Sequence, residues 1–222
     1  MDRLRGWTAV DMEAIRALAH KHLADRRAHK EREVGFIYYH GQRVAKIAVQ
    51  LRKLLIPDDD SRDQELTVAG YFHDIAKGIE PHSVYGAVLI REILADYCAP
   101  EQLEFIAELI RHHQFRDPSK GYHDYIKIIQ DADTLDHVGV VEIWMNFQYY
   151  AYTDSTLQDS VKFYETRFPA LAEKMRRQLN FEISKQIFDE KYNFVKAFVQ
   201  RMKVEANGGI YNLDSLRSDS HD

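Results

Sequence analysis

Apolar residues recur every three or four positions along almost the whole chain, and strand-like alternation is weak. The pattern predicts an all-α fold. A first helix is expected over residues 8–30, capped by Thr8, with Val10, Ala14, Ala17 (or Leu18) and Lys21 along its stripe. A second should run from about Phe36 to Leu55, with Val44, Ile47, Ala48 and Leu51 facing inward and His40 one turn before them. After the solvated turn Pro57-Asp58-Asp59-Asp60-Ser61, a third is expected from Arg62 to Lys77, aligning Leu66, Ala69, Gly70 and His73. Gly78 breaks it, and Pro81-His82 opens a fourth whose stripe is His82, Tyr85, Gly86, Leu89, Ile90 and Ile93. Leu103, Ile106 and Ile110 then lead to His113, and beyond a loop at residues 117–121, Ile126 and Ile129 lead to Asp133.

Past Val138, the aromatic stretch Trp144, Phe147, Tyr149, Tyr150 and Tyr152 is expected to be core rather than a base-stacking surface. Residues 157–179 and 181–206 read as further helices, interrupted near Pro169 and Asn180 and ended by Asn207-Gly208-Gly209. The expected organisation is one domain over 1–206, with a core at 36–140, C-terminal helices at 141–206, and a disordered tail at 207–222 carrying Ser215, Ser218 and Ser220.

Five successive helices thus carry a His or Asp at or near one end of an apolar stripe. Burying an ionised carboxylate such as Asp74 among Tyr71, Phe72, Ile75 and Ala76 costs several kcal/mol without a partner. The groups could pair with one another in a polar network, but a shared divalent cation satisfies imidazole and carboxylate together. His20, His22 and His29 lie among Lys and Arg and read as solvated or packing residues.

Composition sets outer limits. The 222 residues are 45% hydrophobic and 29% charged with a net charge of −5, which gives no global field for nucleic acid or an anionic membrane. A single Cys98 excludes an intramolecular disulfide and suits a reducing compartment. The start Met1-Asp2-Arg3-Leu4-Arg5 lacks a signal-peptide core, and no run approaches the roughly 20 apolar residues of a membrane span. A cytoplasmic protein is expected.

The ordered set His40…His73-Asp74…Asp133 resembles the H…HD…D signature of the HD-domain metal-dependent phosphohydrolases, over about His40 to Gly139. His40-Gly-Gln-Arg43-Val44 is similar to the family's opening H-x-x-R-V, Phe72-His-Asp-Ile-Ala-Lys77 to its HD-I-x-K variant, and Asp131-Ala-Asp133-Thr-Leu-Asp136 to the D-A-D-x-L-D element of small bacterial members. The resemblance implies an HD-type helical bundle with extra C-terminal helices. It also implies that His40, His73, Asp74 and Asp133 hold a first metal, with Asp136 orienting a metal-bound His. His82, His112 and His113 follow the order of the subgroups with two metals, in which Asp74 bridges; one metal, with these histidines lining a phosphate pocket, is the alternative. The Gly-Tyr-Pro motif of the cyclic-dinucleotide phosphodiesterases is missing, and Gly121-Tyr122-His123 stands nearest to it.

The implied chemistry is hydrolysis of a phosphate ester or anhydride, on a nucleotide or similar phosphorylated small molecule, by metal-activated water. Asp74 would ligate the metal and accept a proton, and Lys77 would neutralise charge on the phosphate. Arg43 has two readings, a phosphate contact or an ion pair. The ligand set suits one or two ions of Mn, Fe, Co, Ni or Zn, with Mg as a further option. A non-catalytic nucleotide-binding regulator and a di-iron oxygenase on the same fold are the competing readings, with a purely structural set of histidines behind them. Substrate choice is expected to lie in residues 138–200 and the loops at 56–62 and 115–124. An oligomer is compatible with the sequence.

Overall fold

The computed structural model describes residues 11–117 and 119–212. Among them the regular elements are all helices: α1 (Met12–Leu23), α2 (Phe36–Leu55), α3 (Asp63–Phe72), α4 (His82–Ile93), α5 (Pro100–His112), α6 (Asp124–Asp136), α7 (Val140–Tyr152), α8 (Leu157–Thr166), α9 (Phe168–Arg177) and α10 (Glu182–Ala206). No helix among them is long and apolar enough to cross a membrane. Thr8, Val10, Pro118 and the serines at 215, 218 and 220 lie outside the described residues.

α1 is shorter than its periodicity suggests. Asp11 caps it, accepting from the backbone N–H of Glu13 and Ala14. Its buried face is Ile15, Ala19 and Leu23, whereas Ala17 and Lys21 are exposed. The larger side chains Ile15 and Leu23 gain more from burial than the alanines assigned to the stripe, and they set the rotation of the helix.

α2 occupies the centre, between α3 on one side and α6 on the other. His40, Val44, Ala48 and Leu51 run along its buried face. α2 and α3 approach closely at two glycines: a Cβ at Gly41 would lie 2.6 Å from the Tyr71 carbonyl oxygen, and one at Gly70 would collide with the Ala45 backbone. Each glycine sits next to, or one turn from, a histidine (His40 and His73), so the close crossing also brings those two rings together.

α3 ends at Phe72, five residues before the expected Lys77. From there the chain continues in tight turns, with Ile75 N–H bonded to Phe72 O, Lys77 N–H to Asp74 O, and Ile79 N–H to Ala76 O. In α4 the inward face is made of Ser83, Gly86, Ala87 and Ile90, whereas Tyr85 and Leu89 point outward. Close packing on α5 explains the difference, since a Cβ at Gly86 would already touch Ile110 and Ile75 at 3.2 and 3.3 Å and larger side chains would not fit.

The aromatic stretch on α7 is core only in part: Phe147 packs against the core, and Tyr150 is partly buried. Trp144, Tyr149 and Tyr152 are about half exposed, and the buried residues of this helix are Glu142, Ile143, Met145 and Asn146. The polar pair can turn inward because hydroxyls of α8 satisfy it: Tyr164 donates to Glu142 and Ser160 to Asn146.

α10 is tied to α6 at two points. The Asp131 carboxylate accepts from Asn180 N–H and Phe181 N–H at the start of α10, and Lys191 Nζ donates to Leu135 O at 2.5 Å. The helix that carries Asp133 is thereby held from both sides. Gly70→Ala is expected to cost about 1–3 kcal/mol through overpacking, read as a lower urea midpoint at unchanged m.

Candidate metal centre

Each candidate ligand stands at a helix end or on a central helix, where its backbone is constrained. His40 comes from the buried face of α2, and His82 is the first residue of α4. His73 and His113 are the C-caps of α3 and α5. Both cap in the same way, each placing Nδ1 on the carbonyl three residues back, Gly70 O at 2.9 Å and Ile110 O at 2.7 Å. Those carbonyls belong to the last helical turns, which have no intrahelical donor of their own.

The four Nδ1 atoms therefore all face acceptors. His40 Nδ1 lies 2.7 Å from Asp136 Oδ2, and His82 Nδ1 lies 3.0 Å from both Glu80 carboxylate oxygens. A carbonyl or carboxylate oxygen can only accept, so in each neutral ring these contacts place the proton on Nδ1 and turn the Nε2 lone pair inward. The Nε2 atoms converge, His40 on His73 at 3.0 Å and His82 on His113 at 3.2 Å. Two lone pairs at that separation repel unless a positive charge lies between them.

Carboxylate oxygens complete the cluster. Asp133 Oδ1 is 3.2 Å from His40 Nε2 and 3.7 Å from His73 Nε2. Asp74 Oδ1 is 3.1 Å from His82 Nε2, 3.7 Å from His113 Nε2 and 3.9 Å from His73 Nε2. The sets His40/His73/Asp74, His73/His113/Asp133 and Asp74/His82/His113 each place their ligand atoms within 4.8 Å of one another. A donor set of buried imidazole nitrogens with fixed outer hydrogen bonds and two carboxylates fits a divalent transition metal, with Asp74 common to two groups.

The charges are strongly coupled. Burial opposes the ionisation of Asp74, but the His73 ring, hydrogen bonds from His113 and His82, and Lys77 hold its carboxyl well below the ordinary range. Burial opposes Asp133 in the same way and is overcome by His137 and His40. His40, despite its burial, is pushed up to about 9 by Asp133 and Asp136, while burial holds His73 down to about 4. The pocket is built for positive charge shared between rings.

Other expected residues take different places. Arg43 donates from Nε and Nη2 to the two Asp136 oxygens at 2.7 and 2.9 Å, so it is bound in an ion pair and not presented as a phosphate contact. Asp136, which receives both Arg43 and His40, is the outer carboxylate of the cluster. Lys77 Nζ stands 3.4 Å from Asp74 Oδ2 and 3.5 Å from Oδ1, the oxygen that the imidazoles face. His112 joins none of the groups; its ring packs on Tyr122 and Phe115. Its position one residue before the C-cap turns it off the line that His113 follows.

Three residues went unnoticed in the sequence. His137 Nε2 is 3.5 Å from Asp133 Oδ1 and forms a further group with His40 and Asp133; its position four residues after Asp133 was the available signal. Arg116 donates to the carbonyl of His113, to Gln130 O at 2.9 Å and to Thr134 Oγ1 at 3.2 Å, joining the end of α5 to α6. Arg26 donates to the carbonyls of Ile75 and Lys77, clamping the turns that follow Asp74. Nothing local in the sequence marks either arginine, because Arg26 bonds carbonyls of a distant segment and Arg116 bridges from the nearby His113 carbonyl to Gln130 and Thr134 on α6.

A cavity of about 650 Å³ opens beside Asp133 and His137. Its walls come from the 138–200 region, including Tyr149, Phe163 and Met175, and from Arg116 in the 115–124 loop; none of the described residues at 56–62 lines it. Arg26→Ala is expected to cost about 1.5–3 kcal/mol, the worth of hydrogen bonds to a charged group. The check is a urea melt together with faster amide exchange confined to residues 75–79.

Comparison with known proteins agrees with this geometry. The family model described as "HD domain" matches residues 37–137. No curated protein matches by sequence. Among solved structures, Bacillus subtilis YpgQ in complex with ADP is 19% identical, aligns over 86% of this chain and 95% of its own, and superposes with a TM-score of 0.60. An HD-superfamily hydrolase from Bacillus thuringiensis is 21% identical over 88% of this chain and 98% of its own, with a TM-score of 0.60. A Lactobacillus plantarum protein is 20% identical over 91% of this chain and 99% of its own, with a TM-score of 0.59. At such identities the structural likeness is one of fold. Residues 37–137 thus match the HD domain, and the imidazoles and carboxylates that converge there are those a metal-dependent hydrolase of that kind requires.

Proposed function

We propose that this protein hydrolyses a phosphate ester or anhydride of a nucleotide or similar phosphorylated small molecule. The observation that carries the reading is the convergence of four Nε2 atoms and two ionised carboxylates beside a cavity. The ADP bound to the fold relative YpgQ supports a nucleotide as the class of ligand.

In this reading His40, His73, Asp74 and Asp133 would hold one cation, and Asp74, His82 and His113 a second. A divalent cation there supplies Lewis acidity, activating water and drawing charge from the phosphoryl oxygens. The protein supplies position. Asp136 and the carbonyls of Gly70 and Ile110 fix three rings so that no tautomer change is needed on binding. Asp74 is the proton acceptor closest to both ligand groups. Lys77 keeps it ionised and offsets negative charge developing on the phosphate. Arg116, a desolvated guanidinium on the cavity wall without a carboxylate within ion-pair distance among the described residues, provides positive charge that Arg43 cannot. Its role is to receive a phosphate oxygen.

Elemental analysis of purified protein reconstituted with Mn, Fe or Zn is expected to give about two ions per chain, as for two-metal sites. Asp74→Ala is expected to lose them, and phosphate release from a nucleotide panel should fall by at least about a hundredfold. A protein that binds no metal after reconstitution and keeps its properties in the variant would refute the hydrolase reading.

Asp136→Asn tests the outer carboxylate separately. It is expected to weaken metal affinity by about 10–100-fold, measured by chelator competition. Circular dichroism should be unchanged, because the Asn side chain still fills the space between His40 and Arg43.

A further inference from the structure

The cavity beside the candidate metal centre has a second polar feature, on α7 rather than on the helices that carry the candidate ligands. On α7, Glu142 and Asn146 lie one turn apart, both line the cavity, and both are only 7% exposed. Each is anchored by one oxygen. Tyr164 OH donates to Glu142 Oε2 at 3.0 Å, and Ser160 Oγ donates to Asn146 Oδ1 at 2.5 Å. Ser160 and Tyr164 are themselves one turn apart on α8, and both are buried. The four side chains form a ladder between two helices that fixes the rotation of the carboxylate and of the amide.

The anchoring leaves two atoms uncommitted. Glu142 Oε1 and Asn146 Nδ2 have no hydrogen-bond partner among the described residues, and both belong to cavity-lining side chains. Both atoms open onto the cavity rather than into packed protein, so a bound molecule can reach them. The rest of the Glu142 carboxylate is buried, which lifts it to about 7 against the opposing effects of Tyr164 and the Arg32 guanidinium. A donor from a bound molecule would satisfy it.

Resting on the nucleotide reading above, we propose that Glu142 and Asn146 are the specificity-determining pair of the site, reading the hydrogen-bonding edge of the substrate's base. The pair presents a fixed acceptor beside a fixed donor. The guanine edge answers it most fully. Its two adjacent N–H groups meet Oε1 and the second lone pair of Oε2, and its carbonyl meets the Asn146 amide, giving three bonds where adenine or cytosine gives two. Phe163 and Tyr150, also on the cavity wall, supply apolar and aromatic surface for the faces of the ring. A site built to hydrogen-bond one edge rejects an analogue lacking a partner, because its own buried groups are then left unpaired.

The experiment compares wild type, Glu142→Gln and Asn146→Asp, loaded with Mn, on GTP, ATP, CTP and inorganic tripolyphosphate. In parallel, affinities for GMP, AMP and ribose 5-phosphate are measured by calorimetry. Glu142→Gln keeps an acceptor for Tyr164, and Asn146→Asp keeps one for Ser160, so neither variant loses its anchor. Wild type is expected to favour the guanine compound by about tenfold or more, the size of one buried hydrogen bond to a charged group. Each variant should bring that ratio to within about threefold while tripolyphosphate hydrolysis, which involves no base, changes less than about twofold. Equal handling of all bases by wild type, or a preference that survives in both variants, would overturn the proposal. The same holds if tripolyphosphate and nucleotide rates fall together, the mark of a structural role. Base-selective binding without turnover would keep the pair and refute the hydrolase; turnover without base selectivity would do the reverse.

Discussion

Four imidazoles that meet nitrogen to nitrogen, each with its other nitrogen already on an acceptor, are the constraint around which this molecule is arranged. Positive charge among them, a proton or a cation, is what resolves it. Three of the four acceptors are supplied by helix geometry: the terminal carbonyls of α3 and α5 take His73 and His113, and the Asp136 carboxylate of α6 takes His40. A cation between the rings also lies near the C-terminal ends of two helices, where the backbone dipoles favour positive charge. The metal centre thus follows from how the helices end as much as from which residues they carry.

Arginines hold the segments that bear these ligands. Arg43 fixes Asp136 and through it His40; Arg26 holds the turns after Asp74; Arg116 joins the end of α5 to α6. Two of the three act mainly on backbone carbonyls, for which the planar guanidinium is suited because it donates in several directions at once. The close crossing of α2 on α3 depends in turn on Gly41 and Gly70. Any side chain there would separate the backbones and with them the His40 and His73 rings.

The candidate metal ligands and the cavity wall come from two parts of the chain. Helices α2 to α6 carry the candidate ligands, and α7 to α9 build most of the cavity wall. The ties from α10 to Asp131 and Leu135 hold the ligand helix α6 against the later helices, so the wall and the metal groups share one rigid element. Polar residues buried on α7 are tolerated because α8 supplies hydroxyls at the matching spacing.

Several features were legible from residue order alone. Helical class, the bounds of α2 and the breaks near Pro169 and Asn180 follow from period and from residues that cannot continue a helix. His40, His73, His82, His113 and Asp133 stood out because ionisable groups on apolar stripes require partners, and the resemblance to the HD family singled out His40, His73, Asp74 and Asp133 among the candidates. Other features depend on contacts between distant segments. The end of α3 at Phe72 is set by tight turns that Arg26 clamps, Arg43 is bound to a carboxylate 93 residues away, and His112 is turned aside by one position at a helix end. The aromatic residues of α7 looked like core by hydrophobicity, yet Glu142 and Asn146 took the interior because α8 could bond them. Periodicity reports which face is apolar on average; only the neighbouring helix decides whether a polar side chain on that face is satisfied.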